Sequence, residues 1–429
     1  MSKTMQKTKK IIRTERIHLP PFVDFTEHCK VWAEVYNYCH DLRLQHYLSH
    51  QPFLTDKELR AHIKQLPDYH RWKTTIGSNI INQSLKVLYR VWRSYFGLKK
   101  SYDPNDPNTI WPSLPGYTGC DWNGQLLGTI LLDQRALKSV SSQRVKIKPG
   151  QLMLPKTFDN LVVSLFKAKD KKILSGSIKP IATKRFVLLV QYEADAAIPK
   201  QKTAKRIAAI DPGLVNAITM VDNIGSQPVY ARGGEFNSIN QWFNKQQAKL
   251  QKYGRGDTNA IRKIAGIRTR RMHDTLHKLA KAIIAWCKNR EIDTIIIGKN
   301  EGWKQNVVMW KKMKQKFMYF PFIPLFEKIE DKAEMAGIEV EYTEEDYTSK
   351  CSFLDNEPMR KRKKHLYSRR LKRGLYRSLN GTLRNACTHS SSIIHGDVNA
   401  AYNIGRKVYP RIFHPNKITV HLYPRKLSY

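Results

Sequence analysis

The sequence predicts a mixed α/β protein with strand-rich, helical and alternating parts, and three changes of residue pattern predict it. Residues 24–100 repeat apolar side chains at helical spacing, residues 118–200 break into short strands, and from 206 onward strands and helices alternate. At 429 residues the chain is long enough for two or three cores. Charge sets it apart: 75 Lys+Arg face 36 Asp+Glu, a formal net charge of +39. Clustered cations gain free energy by displacing counterions from phosphates, so a polyanionic partner is expected. No apolar run approaches the roughly 18 residues of a membrane span and no amphipathic anchor is visible, so no membrane partner is expected. Six scattered cysteines form no close pair, which argues against a disulfide framework and fits a reducing cytosol.

Taken in order, "KKIIRTERIHLP" (9–20) alternates as a strand and Pro20-Pro21 ends it. In the helical part Ile81, Leu85, Leu88, Trp92 and Tyr95 share one face, with the aromatics read as core rather than as platforms for bases. Residues 101–117 are rich in Pro, Asn and Asp and read as a linker. "LLGTILLD", "SQRVKIK", "LVVSLFKAK" and "KRFVLLVQYEAD" then suggest a small barrel or sandwich. From 206, "RIAAI", "NAITMVD" and "PVYARG" make three consecutive strands, followed by long basic helices to about 290. Met272, Leu276, Leu279, Ile283 and Trp286 form one stripe there, and Arg268, Arg270 and Arg271 crowd its start. "DTIIIG" (293–298) is apolar throughout, as a strand covered on both faces should be. A helix at about 322–336, the strand "GIEVEY" (337–342) and a final helix in "DVNAAYNIGRKVY" (397–409) complete the order of an RNase H-like domain.

Two aspartates stand at the ends of elements in this order, and a fold-level likeness alone assigns them no role. Asp211 ends the first strand in "IAAIDPGLVNAI", and Asp397 opens the last helix in "HGDVNAAYNI". Each has a plain alternative: Asp-Pro-Gly is a common turn whose aspartate bonds its own backbone, and an aspartate at a helix start is commonly an N-cap. Together, with Val398, Ala401 and Ile404 packing the helix on the sheet, they are placed to share a metal ion. Phosphodiester hydrolysis needs such sharing, with two hard cations about 4 Å apart activating water and stabilising the leaving oxygen. Magnesium takes carboxylate and water oxygens, so neither His nor Cys is required.

"RIAAIDPGLVNAITM", "DTLHKLAKAI", "IIIGKNEGWKQ", "YTSKCSFLDNEP", "RGLYRSLNGTLRNA" and "GDVNAAYNIGRK" follow the order found in TnpB proteins, and the chain resembles that family over most of residues 110–409. "LPGYTG" (114–119) matches a short signature of the family's barrel region. The resemblance implies a RuvC-like nuclease related to type V CRISPR effectors, encoded by a bacterial or archaeal transposon, cytoplasmic and nucleoid-associated. It further implies a transposon-end-derived guide RNA, double-stranded target DNA read beside a short flanking motif, and cleavage with two Mg2+ ions. The implied division is a first wedge-barrel strand (1–22), a helical recognition domain (23–105), the rest of the wedge barrel (106–203), a first RuvC part (204–345), a nuclease-lobe insert (346–395) and a last RuvC part with tail (396–429).

By this resemblance Asp211 would be the first RuvC carboxylate and Asp397 the last. In many members the middle glutamate directly follows the strand matching "DTIIIG", where this chain has Gly298. Glu301 arrives three residues later, and Glu345, two residues before Tyr347 of "YTSK", fits a rearranged version of the motif. Glu345 is the favoured third ligand and Glu301 its alternative. Glu344 and Asp346 flank it. Relatives with a zinc-bound insert carry two Cys-x-x-Cys pairs. Only Cys351, Cys387, His365, His389 and His395 stand in that stretch here, so zinc is not expected. Residues 387–395 look like an insertion, and 359–377 pack cations around Tyr367 and Tyr376 as a phosphate-binding surface. A nuclease-inactive RNA-guided repressor, motivated by Gly298, and a DNA transposase or accessory protein are the alternatives. An unguided junction resolvase would need neither the N-terminal helical part nor the barrel. Nothing in the sequence sets the oligomeric state.

Overall fold

The computed structural model describes residues 8–104, 111–118, 127–138, 147–182, 185–198, 205–252, 259–300, 311–360, 368–372, 374–378 and 393–429. The chain divides into two compact units, Lys10–Asp195 and Ala196–Tyr429 with Met1–Lys9.

The first unit opens with β1 (Thr8–His18) and continues with four helices, α1 (Thr26–Leu48), α2 (Asp56–Lys64), α3 (Tyr69–Ile76) and α4 (Ser78–Ser101). The stripe read from the sequence is the packed face of α4: Ile81, Leu85, Leu88, Trp92 and Tyr95 are all buried, and Trp92 lies among Tyr47, Phe53 and Phe96. These aromatics are therefore core, as their spacing implied. Thr55 and Glu58 close a reciprocal capping box that starts α2. Buried Arg43 is matched by Asp56 at 2.7 Å and by the Leu54 carbonyl, so its charge is not left unpaired. Of the "LPGYTG" segment, Tyr117 donates to Asp41 and the Thr118 N–H to Asn37, which lays it along α1.

Strands β2 (Ile130–Asp133), β3 (Gln151–Met153), β4 (Val162–Ser164), β5 (Ile173–Ala182) and β6 (Arg185–Ala197) follow. They form a four-stranded sheet of order β1-β6-β5-β2 and a separate β3-β4 pair. The expected barrel is corrected accordingly: among the described residues the sheet does not close. The sequence reading also passed over β5, because Ser175, Gly176 and Pro180 interrupt its alternation.

In the second unit β7 (Ile207–Pro212), β8 (Asn216–Asp222) and β9 (Val229–Arg232) run antiparallel as consecutive hairpins. Helices α5 (Gly234–Lys252) and α6 (Asn259–Asn289) lead to β10 (Thr294–Gly298), and α7 (Lys311–Tyr319) and α8 (Phe322–Ala336) lead to β11 (Glu339–Thr343). β10 pairs in parallel with both β7 and β11. A small antiparallel sheet, β12 (Ser368–Lys372), β13 (Leu375–Ser378) and β14 (Ile393–His395), precedes α9 (Gly396–Val408), and β15 (Arg425–Lys426) ends the chain's strands. The large sheet has the order β11-β10-β7-β8-β9-β15. Its first five strands, with β8 alone reversed relative to its neighbours, have RNase H-like topology, as the element order predicted.

Strand alternation divides the sheet's residues between two cores. Ala208, Ile210, Ile295 and Ile297 point to one side and pack under α5, α6 and α8, where Leu279 and Ile283 are fully buried. Ile207, Ala209, Val221 and Ile296 point to the other and meet Val398, Ala401, Tyr402 and Ile404 of α9. A strand sandwiched in this way has no polar face, which accounts for the uninterrupted apolar run of β10. The Leu279→Ala substitution should lower stability by about 2–5 kcal/mol. Urea unfolding of a variant that keeps Trp286 as its only tryptophan, with and without the substitution, checks this, and a loss below about 1 kcal/mol would contradict the packing of α6.

Candidate active site

Strand parity places Asp211 on the α9 side of the sheet, since it follows Ile207 and Ala209 at intervals of two. Its carboxylate is not spent on the turn: among the described residues no backbone amide donates to it, and the Gly213 N–H goes to the Ala217 carbonyl. Asp397 is likewise released from capping. His395 is the N-cap of α9, its Nδ1 accepting from the Asp397 N–H at 3.3 Å, so the aspartate sits inside the first turn with its side chain turned elsewhere. Asn216, at the start of β8, donates Nδ2 to Asp397 Oδ2 at 2.8 Å.

Glu345 lies two residues beyond the end of β11, and its backbone is held on both sides. Its N–H donates to Asn300 Oδ1 at 2.7 Å, and its carbonyl accepts from the Thr348 N–H and hydroxyl. The side chain lies over Gly298: a Cβ built there would come within 2.7 Å of Glu345 Cγ and Oε1, and within 2.8 Å of Ile404 Cδ1. The glycine therefore leaves the space that Glu345 occupies. Register carries the point further, because Ile297 pairs with Ile210, and one step on Gly298 comes level with Asp211. A glutamate after β11 thus reaches the place a glutamate at the end of β10 would fill. Glu301 lies outside the described residues.

The electrostatics bear on the same grouping. Burial, then the neighbouring Asp397 and Glu345 carboxylates, hold Asp211 well above the usual carboxylate range. Burial, with Asp346 beside it, pushes Glu345 up to about 7. Glu345 Oε1 is buried without a hydrogen-bond partner among the described residues. Lysines near in sequence are turned to other partners. Lys299 lies over the Tyr342 ring, Lys350 over Tyr347, and Lys407 donates to the Glu344 carbonyl. The described carboxylates do not by themselves close into a ready metal cage.

The sequence reading missed the frame behind Glu345. Asn399, Asn403 and Arg406 make one buried polar stripe on α9. The two asparagine amides donate to the Cys351 carbonyl, with Asn403 also reaching that of Thr348, and Arg406 grips Asn356 and the Glu357 carbonyl. Spacing of i, i+4, i+7 on a face that should be apolar was the available signal. Cys351 is buried in this frame, and His395 serves as the helix cap. Cys387, His365 and His389 lie outside the described residues, as do Tyr367 and the rest of 361–367 in the basic segment. Tyr376 is corrected from a phosphate-facing ring to a core residue: it is buried and its hydroxyl donates to the Lys350 carbonyl.

Gly298→Ala should destabilise the unit by about 1–3 kcal/mol, because a Cβ there displaces Glu345 and Ile404. In a Glu345→Ala background the cost should fall by at least about 0.5 kcal/mol. A double-mutant cycle by denaturant unfolding measures this, and additive effects would contradict the contact.

Comparison with known proteins gives two family matches. Residues 188–304 match a family profile described as a probable transposase, OrfB of IS605 type, and residues 322–404 match the TNB domain of Cas12f1-like proteins. No curated protein matches. Among solved structures, a Cas12f1–sgRNA–target DNA complex is 14% identical, covering 92% of this chain and 98% of that one, with a TM-score of 0.34. The mini-RNA-guided endonuclease CRISPR-Cas phi3 is 10% identical over 97% and 94%, with a TM-score of 0.44. C2c1 of Alicyclobacillus acidoterrestris with single-guide RNA is 9% identical over 90% and 69%, with a TM-score of 0.35. The two matched segments run in sequence through the sheet and the helix that carry the carboxylates, so the chain is similar there to OrfB-type probable transposases and to Cas12f1-like proteins.

Proposed function

We propose that the protein is a transposon-associated, RNA-guided DNA endonuclease, and that Asp211, Glu345 and Asp397 are its metal ligands. The observation that carries the site is the placement of Glu345 over Gly298, level with Asp211 and beside α9. The residues fit a hard divalent cation. All three supply oxygen donors, one buried glutamate oxygen has no partner among the described residues, and the Asp397 and Glu345 carboxylates make a charge on Asp211 unfavourable. Magnesium bound there supplies an activated water and charge stabilisation at the phosphate. The chain's own part is positional. Asn216 orients Asp397, Asn300 and Thr348 fix the backbone at Glu345, and α9 holds the segment behind it. The chain's excess of cations attracts phosphates.

The nucleic acids follow from the family and from the charge. A guide RNA would carry sequence specificity through base pairing, while the protein grips backbone and reads a short flanking motif. We assign that gripping to the helical part (23–105) and the strand-rich part (106–203), the catalytic sheet to 204–345 with 396–429, and the insert to 346–395. Among the described residues no helix is long and apolar enough to cross a membrane.

The test is cleavage by protein purified with its native flanking DNA. Asp211→Ala, Asp397→Ala and Glu345→Gln should each reduce cutting by about a hundredfold to a thousandfold, the scale lost with an essential charge-stabilising group. The co-purifying RNA should be unchanged, and Glu301→Gln should cut normally. Normal cutting by Glu345→Gln with loss in Glu301→Gln would move the third ligand to Glu301. Cutting by Asp397→Ala would overturn the site.

A further inference from the structure

Outside the carboxylate site, the second unit has a cavity of about 340 Å3 lined by Asn237, Asn240, Gln241, Asn244, Gln315, Lys316 and Tyr319. That volume lies at the small end of the roughly 300–1,000 Å3 range of ligand pockets. Its composition departs from the rest of the chain. Asn237, Asn240, Gln241 and Asn244 occupy i, i+3, i+4 and i+7 of α5, one face made wholly of carboxamides. The lysines of that helix, Lys245, Lys249 and Lys252, are not among the lining residues. Opposite, the lysine-rich α7 contributes Gln315 and Tyr319 with a single cation, Lys316.

Part of this wall is built rather than merely wet. Asn240 is buried with both ends of its amide committed, Oδ1 accepting from Arg268 Nε at 2.8 Å and Nδ2 donating to the Tyr319 carbonyl. Arg268 in turn lies over the rings of Phe243 and Tyr319. The guanidinium is thereby held as a buttress, and Tyr319 keeps 47% of its surface open. Asn237 donates to the carbonyl of Leu214, three residues past Asp211, so one wall of the cavity is tied to the candidate catalytic loop.

A carboxamide offers a donor and an acceptor side by side and carries no charge. Several of them facing one cavity suit a planar ligand with alternating donors and acceptors better than they suit a phosphate, for which this chain has cations to spare. Asn and Gln make their best paired contact with adenine, through N6 and N7, and a half-exposed tyrosine can stack on a base. We propose that this cavity binds an unpaired nucleobase, adenine in preference, from a strand crossing the sheet end next to Asp211. The base comes from either RNA or DNA, which present the same edge.

The experiment measures affinities of the full-length protein for fluorescent 20-nucleotide homopolymers of deoxyadenylate, deoxythymidylate, adenylate and uridylate at one fixed salt concentration. The ratio of affinities within each sugar type cancels the contribution of backbone phosphates. Wild-type protein should favour the adenine polymer by about tenfold, the scale of one paired amide–adenine contact. Gln241→Ala/Asn244→Ala/Gln315→Ala should bring that ratio close to one, while Lys316→Ala lowers all affinities together. The sugar type with the larger ratio identifies the strand. Gln241→Leu alone, expected to cut the ratio by half or more, serves if the triple variant melts early. No base preference in the wild type, or a preference unchanged in the folded variants, would overturn the proposal. Because nothing here depends on cutting, a failure would leave the carboxylate site untouched, and loss of cutting would leave this pocket untouched.

Discussion

The candidate site depends on the apolar contact between α9 and one face of the sheet. Val398, Ala401 and Ile404 rest on the β7, β8 and β10 side chains that point that way, with Tyr402 and Phe353 stacked beside them. Burial on this scale contributes roughly 25 cal/mol for each Å2 of apolar surface removed from water. It sets where the first turn of α9 falls, and hence where Asp397 stands relative to the end of β7. It also brings the polar stripe of Asn399, Asn403 and Arg406 against the segment that follows Glu345. One helix therefore positions two of the three carboxylates, one directly and one through the carbonyls it holds.

In the proposed site, Glu345 would stand in for a side chain absent from its expected position. A glutamate at the end of β10 would project from the sheet toward α9. In this chain Gly298 projects nothing, and the opening is filled by a glutamate from the neighbouring strand's exit. The exchange is possible because β10 and β11 are parallel neighbours, so both release their chain at the same end of the sheet. Among the described residues Lys299, Lys350 and Lys407 face Tyr342, Tyr347 and a backbone carbonyl.

Much of the second unit was legible because its periodicities are strong. The stripe from Met272 to Trp286, the run 294–298 and the helix 322–336 each carry one repeating pattern over their whole length. The places of Asp211 at a strand end and Asp397 at a helix start were legible from the sequence, but their freedom from turn and cap duties was not, since it rests on Gly213 pairing with Ala217 and on His395 acting as cap. The contacts of Asn216 and Asn300 join residues 181 and 45 positions apart, and no local pattern announces such pairs. β5 was hidden by its glycine and proline, and the strand-rich part was read as a barrel because short strands look alike whether or not their sheet closes.

The central claim is that Glu345, rather than a residue of the 298–301 stretch, completes the carboxylate group with Asp211 and Asp397. Anomalous diffraction from crystals of the RNA-bound protein grown with Mn2+ tests it most directly. The account predicts manganese peaks in contact with the side chains of Asp211, Glu345 and Asp397. A peak bound by Asp211 and Glu301, with Glu345 left without metal, would contradict it.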